Sequence, residues 1–91
     1  MQTQVTFRHF KGHHPQLHAA AEEIAAGFQK FHDGITSTKV EFINENEKIV
    51  TFTVGVNGAV LVSKEASDDF HKSLNLAADK IVRQMQKHKA K

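Results

Sequence analysis

The run Val50-Thr51-Phe52-Thr53-Val54-Gly55-Val56-Asn57-Gly58-Ala59-Val60-Leu61-Val62-Ser63-Lys64 decides the fold. Val50, Phe52, Val54 and Val56 alternate with Thr51, Thr53 and Gly55, a period of two that suits a strand with one buried face. Asn57-Gly58 then interrupts the alternation. Both central residues of a type I′ turn need positive φ, and this dipeptide supplies it at low cost. The turn should join the strand to a further one, Ala59 to Lys64, in a hairpin.

Upstream, Thr38, Val40 and Phe42 alternate with Lys39, Glu41 and Ile43, another strand. The polar tetrapeptide Asn44-Glu45-Asn46-Glu47 makes the loop between the two. Near the start, Val5 and Phe7 alternate with Gln4, Thr6 and Arg8, a short first strand. Pro15 opens a helix, where its missing N–H costs nothing. Leu17, Ala21, Ile24 and Phe28 recur at helical spacing as one apolar stripe. That helix should end near His32-Asp33-Gly34, with Gly34 as its C-cap. Downstream, Ser67 or Asp68 can cap a last helix, Phe70 to Lys91, with Asp68 and Asp69 set favourably against its dipole.

The order is β-α-β-β-β-α, an α+β fold. A βαβ crossover makes the first two strands parallel and the hairpins add the rest antiparallel. The expected architecture is a four-stranded mixed sheet with two amphipathic helices on one face. The other face can be polar, carrying Thr51, Thr53, Lys39 and Glu41. At 91 residues the chain suits a single domain, residues 1–91. It has no cysteine, so disulfides and thiolate metal sites are excluded. No stretch approaches the roughly 20 apolar residues of a membrane span, and the N-terminus lacks signal-peptide architecture. The expectation is a soluble cytoplasmic protein with no membrane partner.

Net charge is +2, from 12 basic and 10 acidic residues. That average hides an asymmetry. From residue 70 onward Lys72, Lys80, Arg83, Lys87, Lys89 and Lys91 face Asp79 alone, whereas the first 69 residues are net acidic. A basic end on a near-neutral body suits an oriented contact with a polyanion. On a wheel of about 100° per residue, Phe70, Leu74, Ala77, Ile81 and Met85 fall within about 80° of arc. Lys72, Lys80, Arg83, Lys87 and Lys91 share one flank beside this stripe, with Asp79 at its edge. A solvated helix face usually mixes signs, often as i,i+4 pairs. Past Asp79 this helix carries no acid, which favours RNA phosphates as the partner. The first helix presents Ala19, Ala26, Glu22, Glu23 and Gln29 opposite its stripe, so it is no phosphate rail by itself.

Seven histidines raise metal binding. His14 and His18 are four apart, with His13 adjacent, but no third firm ligand is evident, and no metal or other cofactor is expected. There is no Gly-rich phosphate loop, no carboxylate paired with a base and no triad context for Ser63, Ser67 or Ser73, so no enzyme is expected. A general double-stranded RNA-binding module, reading shape across grooves, also suits strands followed by a basic helix.

Pro15 and Leu17 open the first helix, and Phe31-His32-Asp33-Gly34-Ile35 closes it. Val56-Asn57-Gly58 makes a strand-turn-strand unit. Asp69 sits ten residues before Asp79-Lys80, followed by Arg83-Gln84 and Lys87-His88-Lys89. In these residues and their spacing the chain resembles the ribosome hibernation promoting factors, a family that includes the ribosome-associated inhibitors. The resemblance implies a β-α-β-β-β-α domain that occupies the channel of the small ribosomal subunit where mRNA and tRNA meet. It would block translation under stress or in stationary phase by steric exclusion. The partners implied are the small subunit and its rRNA, with a separate ribosome modulation factor in some short members, and a monomer off the ribosome. The chain stops at Lys91, like those short members. Candidate RNA-binding residues are Lys72, Lys80, Arg83, Lys87, Lys89 and Lys91, with Lys30, Arg8 and Lys11 secondary. The chain departs from the family at Ile24 and Gly27, where lysines are usual, at His71 for tyrosine and at Asn75 for aspartate. The last helix is therefore expected to carry more of the binding than in a typical relative.

Overall fold

A computed structural model describes the backbone of residues 2–89 and the side chains of residues 3–87. The elements are β1 (Gln2–Arg8), α1 (Pro15–Gly27), β2 (Ile35–Asn44), β3 (Lys48–Val56), β4 (Ala59–Ser67) and α2 (Phe70–Lys89). The sheet order is β1-β2-β3-β4, with β1 parallel to β2 and the other neighbours antiparallel. This is the expected α+β topology, a four-stranded mixed sheet under two helices.

The register places the period-two pattern on one face. Val5 lies beside Val40, Phe7 beside Phe42, and Val40 beside Phe52. Val40, Phe42, Val50, Phe52, Val54 and Val56 are all fully buried. From above, Ala21 and Phe28 close the core over this face, and so do Leu74, Ala77, Ile81 and Met85 of α2. Each large side chain so buried contributes roughly 1.5–3 kcal/mol relative to exposure. Asn57 and Gly58 take φ of 45° and 81°, as a type I′ turn requires.

Several boundaries differ from the sequence expectation. β4 runs on to Ser67, because Lys48, Ile49 and Val50 pair with Ser67, Ala66 and Glu65. Asn44 pairs with Lys48 inside the sheet, which leaves only residues 45–47 as the loop. α1 ends at Gly27 and tightens into a 3₁₀ turn, Phe28–Lys30, so Gly34 is not its C-cap. Gly34 has a different task. The Asn57 side chain occupies the space a Cβ at Gly34 would need, and the Asn57 N–H donates to the Gly34 carbonyl at 3.1 Å.

The cap of α2 is Asp69, not Ser67 or Asp68. Its Oδ2 accepts the Lys72 N–H at 2.9 Å, which satisfies one of the donors that a helix start leaves open. Ser67 supports this end differently. Its Oγ lies 2.7 Å from Ser73 Oγ, which donates to the Lys48 carbonyl at 2.6 Å. Farther along, Ser63 Oγ donates to the Ala77 carbonyl at 2.8 Å, and Gln84 Nε2 to the Val62 carbonyl at 2.9 Å. These bonds fix α2 in rotation and position over β3 and β4.

Candidate nucleic-acid interface

α2 buries one stripe and exposes the rest, as its sequence period requires. Leu74, Ala77, Ile81 and Met85 are buried, and Phe70 is half-buried. Lys72, Lys80, Arg83 and Lys87 are all exposed. From Lys72 to Lys87 the flank spans about 22 Å at a rise of 1.5 Å per residue. Leu76, 42% exposed, sits one turn from both Lys72 and Lys80 and puts an apolar side chain among the cations. Lys89 lies in α2, but its side chain is outside the described residues, as is the whole of Lys91.

Two of the four described cations have acidic partners. Arg83 pairs with Asp79 at 2.9 Å, an i,i+4 contact along the helix. Lys80 pairs with Glu65, which reaches it from β4. Glu65 follows Leu61 and Ser63 on the helix-facing side of β4, so it emerges beside α2. The alternation of β4 in the sequence carries that signal, although the expected strand stopped one residue short of it. The flank is thus not free of acid. Lys72 and Lys87 make no salt bridge among the described residues.

The secondary candidates do not converge on this flank. Arg8 projects from the opposite face of the sheet and pairs with Glu41 at 3.0 Å. Lys11 lies in the exposed loop between β1 and α1. Lys30 ends the 3₁₀ turn after α1. The helices run in the same direction, because β4 is parallel to β2 and each helix runs antiparallel to the strand that precedes it. Lys30 therefore lies toward the end of the molecule occupied by Lys87, and Lys11 toward the start of α2.

α1 offers no rail of its own. Ala21 and Ala25 are buried, Ile24 packs against the core, and Glu22 and Glu23 are exposed. His18 pairs with Glu22 at 3.3 Å. Among the described residues no group of three or more histidine or acidic side chains is placed to hold a metal ion. No described helix is long and apolar enough to cross a membrane.

Four strands under two helices, with a lysine- and arginine-bearing flank on the last helix, define a small α+β module with an exposed cationic edge. The chain belongs to the family described as sigma 54 modulation protein / S30EA ribosomal protein, whose model matches residues 3–91. Its structure is similar to that of a ribosomal subunit interface protein from Coxiella burnetii, with a TM-score of 0.90, 28% identity and full coverage of both chains. It also shares the fold of the N-terminal domain of Protein Y from Thermus thermophilus. That likeness has a TM-score of 0.85 at 16% identity, with 97% of this chain and 99% of the other covered. No curated protein matches the sequence.

Proposed function

We propose that this protein is a ribosome-binding hibernation factor that silences translation without catalysis. In this reading residues 1–91 act as one domain, a monomer when off the ribosome. The domain occupies the mRNA–tRNA channel of the small subunit under stress or in stationary phase, and α2 grips rRNA backbone there. The observation that carries the reading is the exposed flank Lys72, Lys80, Arg83 and Lys87, on a rigid helix in a chain of a ribosomal-protein family. Cations along a rod suit phosphates along a strand, and such contacts supply affinity and position without sequence readout. Lys89 and Lys91 extend the same basic end. Lys30 and Lys11 serve as outlying contacts at opposite ends of the molecule. Arg8 stands apart from them on the other face.

The test is charge reversal at two exposed positions. Arg83→Glu with Lys87→Glu should leave the fold intact and release the protein from small subunits in sedimentation. Undiminished co-sedimentation of that folded variant would overturn the site. If the four described cations contact phosphates, log K against log salt should slope at about −3, from roughly −0.7 to −0.9 per contact. Vacant small subunits should outcompete an equal mass of plain RNA duplex. Equal competition would make the protein a general duplex binder instead.

A further inference from the structure

At the end of the molecule where α2 begins, the loop after β1 meets the turn between β2 and β3. A pocket of about 480 Å³ opens between them. Phe10 and Phe70 form its aromatic wall, with ring centroids 5.1 Å apart. Lys11, Lys48, His9, His14 and Asn44 supply its nitrogen-bearing side chains, and no carboxylate is among its lining residues. The volume lies within the range of small-ligand sites, roughly 300–1,000 Å³.

The pocket is held in shape from several sides. Phe10 packs edge-on against Phe7 and against His14. The His14 ring is anchored, its Nε2 at 3.0 Å from the Lys11 carbonyl. Lys48 Nζ donates to Asn44 Oδ1 at 2.7 Å and stands 5.9 Å from the centroid of the Phe70 ring. Those contacts, with a longer bond to the Glu45 carbonyl at 3.5 Å, fix the ammonium and leave its third hydrogen to meet an anion. His9 turns the chain at φ of 64°, in the left-handed region that histidine enters more readily than most non-glycine residues.

An aromatic wall bordered by two lysines, Lys48 held in place and Lys11 exposed, with no carboxylate among its lining residues, matches a flat base joined to a phosphate. A bare anion would not need the rings, and an apolar ligand would not need the lysines. We infer that this pocket is a nucleotide subsite, in which a base lies against Phe10 and Phe70 and its phosphate is held by Lys11 and Lys48. The subsite includes none of Lys72, Lys80, Arg83 and Lys87; it shares only Lys11 with the proposed ribosome-binding residues, so its occupancy by a nucleotide is measured on the protein free of ribosomes. Its nucleotide can be free or part of an RNA strand.

The experiment uses the full chain, labelled with ¹⁵N, titrated with adenosine 5′-monophosphate, tetra-adenylate, adenosine and inorganic phosphate. Saturable amide shifts are expected in residues 9–14 and 44–48 with the monophosphate and with the oligonucleotide. Lys11→Ala with Lys48→Gln should weaken both by about tenfold while leaving the spectrum well dispersed. Phe10→Leu tests the ring separately and should also weaken both ligands. An oligonucleotide about tenfold tighter than the monophosphate identifies an RNA strand as the occupant, and equal affinity identifies the free nucleotide. Arg83→Glu with Lys87→Glu should leave these shifts in place, so failure on the ribosome and failure here are told apart. The inference is overturned if neither nucleotide gives saturable shifts, or if phosphate alone reproduces them. It is equally overturned if the lysine double variant binds as the parent does, or if the α2 variant abolishes the shifts.

Discussion

Gly34 and Asn57 show how one residue's chemistry is set by another far away in the chain. Asn57 takes positive φ in the β3–β4 turn, and its side chain then fills the space beside Gly34. The Gly34 N–H donates to His32 Nδ1 at 2.9 Å, and its carbonyl receives the Asn57 N–H. The glycine is therefore held from both sides. Gly34→Ala should cost about 1–3 kcal/mol, because the new methyl and the amide compete for one space. Asn57→Gly removes the amide and keeps the turn, since glycine adopts positive φ freely. The double variant should recover most of the loss. Urea denaturation of the full double-mutant cycle measures this, and additive effects of the two changes would refute the contact as the cause.

At the scale of the element, α2 divides its circumference between core and cations. Its stability rests on Leu74, Ala77, Ile81 and Met85, and its charge on exposed residues. The pairs Lys80–Glu65 and Arg83–Asp79 involve exposed cations, and such pairs are worth about 0–1 kcal/mol. They are weak enough for a phosphate to displace, yet each carboxylate repels the phosphate that would replace it. Glu65→Gln should therefore leave the melting temperature nearly unchanged and tighten binding to small subunits about threefold at low salt. Filter binding across a salt series checks this. Weaker binding by the variant would mean that Glu65 positions Lys80 for the RNA instead of restraining it.

At the scale of the whole molecule, one core serves both helices and a single face of the sheet. Phe52 sits at its centre, fully buried, 5.4 Å from the Phe28 ring and beside Val40. Phe52→Ala should cost about 3–5 kcal/mol, against a total stability of about 5–15 kcal/mol for a domain. The expected result is a large drop in the denaturation midpoint, with ribosome binding lost only as the population unfolds. A cost near that of a surface substitution would show that the two helices do not share this core. The same layering separates the charges. Arg8 and Glu41 lie on the open face, so the helix flank and Arg8 cannot meet one flat surface together.

The sequence by itself determined the topology, the buried stripes of both helices, the type I′ turn and the exposed cations of α2. Those features depend on neighbours a few residues apart: period-two alternation, helical spacing, Asn-Gly, and proline at the first helical position. The approach of Asn57 to Gly34, the reach of Glu65 to Lys80 and the meeting of Phe10 with Phe70 and Lys48 join residues far apart along the chain. Local propensity says nothing about such pairs, because each residue's preferences are satisfied equally well without the other. The cap of α2 belongs between the two cases. Ser67, Asp68 and Asp69 all have the chemistry for it, and only the path of the chain from β4 decided that the carboxylate of Asp69 meets the Lys72 N–H. The tertiary structure likewise added a second acid to the flank: Asp79, four residues before Arg83, was in view along the helix, whereas Glu65 reaches Lys80 only because β4 lies beside α2.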